Sequence, residues 1–216
     1  QLRTISAGAI FHDGLGTVQP LRARLQYYPH DLWLYLLAAQ WRRISQEEAF
    51  VGRTGHADDE VGSRILAARL VRDIMKLCFL MERTYAPYIK WFGTAFKKLS
   101  CAKKLEPVFI KVFAADSWKD RESALSEAYT VVARMHNALE ITASLPVSVS
   151  KFHGRPYLVI QADDFSEAIR DVIVSDEVKS LPPHIGSIDQ FIDSTDILSY
   201  SERFKPVLRV YSEKQY

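Results

Sequence analysis

One stretch constrains this chain more than any other. Between Asp59 and Arg83 there is no proline, and Ile65, Ala68, Leu70, Ile74, Leu77, Phe79, Leu80 and Met81 recur at helical spacings. A helix apolar over so much of its circumference belongs at the centre of a bundle. Tyr85-Ala86-Pro87 closes it, because proline disfavours helical backbone in its predecessor.

Other segments follow the same period. Asp31 to Ile44 carries Leu32, Tyr35, Leu36, Ala39 and Ile44, with Pro29 set for a first turn. Further helices are predicted from Pro87 to about Lys104, after Pro107, and from Trp118 to Ser144, where Pro146 stops the pattern. Roughly five helices with short connections in the first 145 residues define an α bundle. Val51 to Asp59, polar and glycine-containing, reads as a loop.

The two ends differ. Thr4 to Phe11, then Asp13-Gly14, Gly16 and Thr17-Val18, read as a β-hairpin. A lone hairpin is barely stable in water, so it is expected to pair with a sheet outside this chain. The opening Gln, in place of Met, raises the expectation of an upstream segment, with a processed N-terminus as the alternative. Beyond Pro146, Val147 to Val149 and Tyr157 to Ile160 suggest short strands. Asp163 to Val174, Ile188 to Leu198 and Phe204 to Tyr211 suggest helices. The expected fold is therefore mainly α. It has an N-terminal β-hairpin (1–18), a helical bundle (19–145) and a small mixed C-terminal portion (146–216) packed on the bundle.

Composition narrows the class. With 48% hydrophobic residues, four Trp, ten Tyr and eleven Phe, the chain can bury a core, which argues against disorder. A formal charge of +2 argues against nucleic acid as partner, although Lys90, Lys97, Lys98, Lys103, Lys104 and Lys111 make a basic middle. No apolar run reaches the ~18 residues that span a bilayer. Cys78 and Cys101 read as buried free thiols, and with no visible signal peptide the expected location is cytoplasmic.

Three segments could carry chemistry. Gly52 to Arg64 is dense in glycine and charge just before the long helix, where backbone N–H groups attract anions. Arg53 and Arg64 are its candidate phosphate contacts. The bland alternative is a capped helix start, with Asp58 or Asp59 as N-cap and Glu60 paired to Arg64. The second segment is the polar face of the long helix. Arg69 and Asp73 sit four apart and attract, whereas Arg72 and Lys76 repel unless an anion or carboxylate intervenes. The third is Glu82 to Gly93, where Tyr88, Lys90 and Trp91 could stack a base and meet phosphate, with Glu82 orienting a basic group. The same rings could equally cement two helices. No Walker loop, nucleophile elbow or zinc-type histidine spacing is present, and the adjacent pairs Asp58-Asp59 and Asp163-Asp164 diverge in regular structure.

Several strings are distinctive together. They are Ser6-Ala7-Gly8-Ala9-Ile10-Phe11-His12-Asp13, Leu25-Gln26-Tyr27-Tyr28-Pro29-His30-Asp31-Leu32-Trp33, Val51-Gly52-Arg53, Asp59-Glu60-Val61-Gly62-Ser63-Arg64, Met81 to Trp91, and Ile185-Gly186-Ser187-Ile188-Asp189-Gln190-Phe191. With these the chain resembles, over nearly its whole length, the nucleotidyltransferase-like family catalogued as domain of unknown function 4037. That resemblance implies a two-part protein. An N-terminal α/β domain would carry a Gly-Ser motif and two metal-binding aspartates, and a C-terminal helical domain would line the substrate side. The chain resembles the second part, and the resemblance implies that the hairpin over 1–18 is a remnant of the upstream α/β domain. It has no Gly-Ser followed by Asp-x-Asp, since Gly62-Ser63 opens the long helix instead. No catalytic or metal-binding residue is carried over.

The resulting expectation is a substrate-side helical domain, inactive alone. Its partner is the missing N-terminal domain or another chain, with Mg²⁺, a nucleoside triphosphate and a small-molecule acceptor in the complete protein. The candidate ligand contacts are Arg53, Glu60, Arg64, Glu82, Tyr88, Lys90 and Trp91. The alternatives are a non-catalytic protein interaction module and an RNA-binding helical domain.

Overall fold

The computed structural model describes residues 2–212; Gln1 and residues 213–216, at the outer ends of the expected hairpin and tail segments, lie outside the described residues. In chain order the helices are α1 (Leu2–Ser6), α2 (Val18–Arg24), α3 (His30–Glu47), α4 (Phe50–His56), α5 (Glu60–Met81), α6 (Phe92–Phe96), α7 (Ala102–Ala114) and α8 (Trp118–Asn137). A short antiparallel ribbon, β1 (Ser150–Lys151) with β2 (Leu158–Val159), pairs Ser150 with Val159. Then come α9 (Ala162–Asp171), α10 (Asp176–Lys179), α11 (Ile188–Phe191), α12 (Thr195–Ser199) and α13 (Ser201–Phe204), with a closing 3₁₀ turn at Lys205–Tyr211. The chain is mainly helical.

Two helices organise the core. In α3 every residue from Trp33 to Trp41 is buried, so this helix is enclosed on all sides. It packs on α5 along one flank and on α9 along another, while α7 pairs with α8 and α4 lies across α5 and α8. α5 buries Ala67, Leu70, Ile74, Leu77, Cys78 and Phe79, as its periodicity requires. Asp59 is its N-cap, accepting the Gly62 N–H at 2.7 Å. At its other end Arg83 turns the chain at φ +47° and lays its guanidinium 4.2 Å from the Trp33 ring centre.

The structure corrects five expectations. Among the described residues no N-terminal hairpin forms, because the Asp13 carboxylate caps a helix just after the turn that its carbonyl closes with the Gly16 N–H. Its oxygens accept the N–H groups of Thr17, Val18 and Gln19 at 3.0–3.1 Å, where α2 begins. The two strands lie near residue 150. The expected loop over 51–59 is largely helix α4, and its glycines serve packing. A Cβ on Gly52 would come within 2.6 Å of a Glu122 oxygen and 2.7 Å of the Tyr157 ring, and one on Gly55 would collide with Trp118. The helix expected from Pro87 to Lys104 is broken after Phe96. There the Glu82 carboxylate draws in the N–H groups of Ser100 and Cys101, both at 2.8 Å, and α7 starts afresh. Pro107 sits within α7 rather than ahead of a new helix. Finally, the helix expected over Ile188 to Leu198 is two short ones, separated by Ile192, Asp193 and Ser194.

The tail is fastened to the bundle by buried polar clamps. Glu48 accepts the N–H groups of Ile160 at 2.8 Å and Ala162 at 3.1 Å. Those donors flank Gln161, whose φ of +58° is costly for a residue with a side chain. The clamp holds this bend, and the bend delivers α9 onto α3. There Phe165 stacks on Trp41 with ring centres 4.3 Å apart, and His136 meets the Phe165 ring edge-on at 4.9 Å.

Candidate functional site

The sequence-picked residues fall at opposite ends of α5. Arg53, Glu60 and Arg64 gather around its start; Glu82, Tyr88, Lys90 and Trp91 follow its end. At ~1.5 Å per residue α5 separates the two groups by about 30 Å, so they do not form one site.

At the first end Glu60 and Arg64 are engaged by partners within the fold. Arg64 Nε donates to Glu60 at 2.7 Å, the i,i+4 pair read from spacing. Glu60 also receives Arg121, which is fully buried and donates further to Ser63 Oγ at 2.7 Å and the Ala115 carbonyl at 3.2 Å. These two arginines, Arg121 first, hold the Glu60 carboxyl below the usual range. Sequence reasoning missed Arg121, although its place on the apolar stripe with Leu125, Ala128 and Val132 marks it as a buried charge needing a partner. Arg53 is exposed, with its guanidinium 5.1 Å from the Phe50 ring centre. The expected Arg69–Asp73 pair does not form. Arg69 reaches across to Glu47 on α3, and Asp73 accepts the Gln40 amide at 3.2 Å. Interhelical partners win because both carboxylates lie in the α3–α5 seam.

At the other end Glu82 is also structural. Burial pushes its carboxyl up, but the N–H groups of Ser100 and Cys101 outweigh this and leave it low. Lys90 covers the Trp91 ring at 5.3 Å, and both are exposed. Tyr88, however, faces a cavity of about 720 Å³, ordinary for a small-molecule site.

This cleft is built from six separated stretches, one of them the single residue Gln40 of α3. α5 supplies Arg72, Lys76, Phe79 and Leu80. One wall holds Tyr27, Tyr28 and the run from Thr84 to Ile89, and Leu2 and Arg3 close one edge. The opposite wall is the strap from Ser187 to Tyr211. Tyr27, Tyr28 and Tyr85 form a triangle with ring centres 5.0–5.1 Å apart. Arg3 fixes this wall by donating to the Tyr85 carbonyl at 3.3 Å, and Tyr85 donates to the Leu25 carbonyl at 3.2 Å. Burial pushes the Tyr27 and Tyr28 phenols well above their usual range, so both stay neutral donors.

The cleft's charges sit on successive turns of α5. Arg72 Nη1 donates to Asp193 Oδ2 at 2.9 Å, and its Nη2 donates to Oδ1, making a two-pronged pair. Lys76 Nζ donates to the Asp189 backbone carbonyl at 2.7 Å. Burial, and then the neighbouring Arg72, hold the Lys76 amine below the ordinary lysine range. Behind them buried amides tie the strap to the bundle. Gln190 Nε2 donates to the Leu36 carbonyl at 3.0 Å and to Gln40 Oε1 at 3.1 Å. Among the described residues no group of three or more His, Cys, Asp or Glu could hold a metal ion, and no helix is long and apolar enough to cross a membrane. Cys78 and Cys101 are free and buried.

Comparison with known proteins gives two findings. The family model described as Domain of unknown function (DUF4037) matches residues 1–92. That range holds every distinctive string up to Trp91 and leaves out the one at Ile185 to Phe191. It also takes in the α5 floor and tyrosine wall of the cleft but not the strap. Elongation factor P from Rhizobium rhizogenes (strain K84) is 28% identical over 95 residues, which are 44% of this chain and 50% of that protein. The chain thus spans about half the length of that curated relative. No solved structure matches.

Proposed function

We propose that this chain is the helical, substrate-side part of a nucleotidyltransferase-like protein, and that the tyrosine cleft is where it holds an aromatic, anionic ligand of the nucleotide kind. One observation carries the reading: the cleft places several tyrosine rings beside Arg72 and Lys76 on successive turns of one helix. Aromatic faces accept bases of any identity, and paired cations accept phosphate. The sequence strings that resemble the nucleotidyltransferase-like family supply the reaction class. Mg²⁺ and its carboxylates would come from another domain. The residues described here do not fit a metal site, and no step of metal chemistry is assigned to them.

The test is a calorimetric titration of the chain with ATP, with and without Mg²⁺, and with the other nucleoside triphosphates as controls. Saturable binding is expected. Tyr28→Leu and Lys76→Met should each weaken it by about tenfold or more, on the order of one stacking or charge contact. Arg53→Ala and Arg64→Ala should leave it unchanged, because both side chains lie at the far end of α5. Absence of binding by the folded chain would overturn the nucleotide reading.

A second reading is favoured by a different region. Around α2, Phe11 is 98% and Leu15 88% exposed, with Ile5, Val18 and Leu21 also open to solvent. Clustered exposed apolar side chains suit a protein interaction module. In that case replacing Phe11 and Leu15 by Ser would abolish partner capture and leave nucleotide titrations unaltered.

A further inference from the structure

We infer that the Asp193 carboxylate is a built-in stand-in for the ligand's anionic group, so that the anion seat of the cleft is Arg72 with Lys76 and opens when Asp193 lets go. This rests on the proposed nucleotide reading of the cleft and adds how its anion would enter.

Arg72 and Lys76 lie four apart on α5 and repel unless something negative stands between them or beside them. In the structure that role falls to Asp193, which takes both terminal nitrogens of Arg72. Two parallel N–H···O bonds are the geometry by which a guanidinium grips a carboxylate or a phosphate, so the seat is already shaped for an oxyanion. The Arg72 hydrogen bonds hold the Asp193 carboxyl below its usual range, and it is charged at neutral pH. Lys76 spends one N–H group on a neutral backbone carbonyl, that of Asp189, which leaves two further N–H groups for a second oxyanion oxygen.

The carboxylate is also placed to leave. The Asp193 side chain is 67% exposed and the Arg72 side chain 33%. Ion pairs this open contribute little to stability, so an incoming anion has a small bond to displace. Asp193 lies in the non-helical link between α11 and α12, where a backbone change costs no helix. The strap stays anchored meanwhile through Gln190 on one side of Asp193 and through Tyr211, whose hydroxyl donates to the Gly186 carbonyl at 2.7 Å. Displacing Asp193 therefore frees one link and leaves the wall of the cleft standing.

The experiment titrates the chain and its Asp193→Asn variant with ATP, adenosine and inorganic pyrophosphate, and follows amide hydrogen exchange over residues 192–199. ATP should bind the variant about three- to tenfold more tightly, as loss of a competing exposed ion pair predicts. Adenosine, which lacks the anion, should bind both equally. ATP should also raise exchange over 192–199 in the unaltered chain, and adding Arg72→Gln should erase the difference between the two proteins. Equal ATP affinity for both proteins, with exchange unchanged, would overturn the inference and leave the nucleotide reading standing. Pyrophosphate binding that improves in the variant while adenosine fails to bind either protein would do the reverse. No binding of any probe would overturn both.

Discussion

The seam between α3 and α9 and the cleft at the end of α5 use the same kinds of side chain for opposite ends. In the seam, Trp41 and Phe165 stack at 4.3 Å with His136 edge-on, all fully buried, and Glu48 clamps the backbone behind them. In the cleft, tyrosine rings sit half open to solvent, and the nearby cations are held by an exposed carboxylate and a backbone carbonyl. An aromatic ring beside an ionisable group is thus no sign of function by itself. What separates the two regions is whether the neighbours are sealed in the fold or lie open to solvent, where on the proposed reading a ligand could replace them.

The largest effect expected from this contrast is in the seam. Trp41→Ala should cost about 3–5 kcal/mol in urea unfolding, because it deletes a fully buried ring and leaves a cavity. A loss below ~1 kcal/mol would mean the seam is as adaptable as the cleft, and the comparison would break.

Next comes a pair of opposed pH dependences. Burial pushes the Glu48 carboxyl from 4.5 up to about 7, against the pull of the Ala162 and Ile160 N–H groups. Burial pushes His136 from 6.5 down to about 4. The stability from Glu48 is full below pH 4.5 and is lost as pH rises to about 7. That from His136 is full above pH 6.5 and is lost as pH falls through about 4. The two nearly cancel, so the intact chain should show a flat stability between pH 4.5 and 7. Glu48→Gln should unmask His136 and make stability climb with pH by about 3 kcal/mol across that window. Urea midpoints at the two pH values measure it, and a flat profile in the variant would remove Glu48 from this role.

The smallest effect belongs to the cleft. Tyr88→Ser removes a ring that is 55% exposed and should change stability by less than ~0.5 kcal/mol. The same change should weaken ATP binding measurably. A variant that unfolds instead would make Tyr88 part of the core and sharpen the border between the two regions.

Much of the bundle was legible in the sequence because its signals are local. The run from Asp59 to Arg83, its N-cap and the Glu60–Arg64 pair all depend on neighbours within a few turns. The N-terminal strands were misread because Asp13 caps a helix, a choice invisible in a Gly-rich turn pattern. Gly52 and Gly55 were misread because small residues look alike whether they bend a loop or admit another helix. The cleft was hardest, since Tyr28, Arg72, Tyr88 and Asp193 meet only once α5 and the strap are in place. Its legible hints are Tyr88, a candidate ring on the Glu82 to Gly93 segment, and the like-charged pair Arg72 and Lys76, whose repulsion calls for an anion or a carboxylate.

That α5 is at once the beam of the core and the floor of the cleft has a practical consequence. Anything that grips Arg72 and Lys76 binds the folded chain and not the unfolded one, and its binding energy is added to the stability of the entire bundle. A ligand at a hundred times its dissociation constant would contribute about 2.7 kcal/mol and raise the melting temperature by several degrees. Collections of phosphorylated metabolites can therefore be screened by melting alone, before any reaction is known.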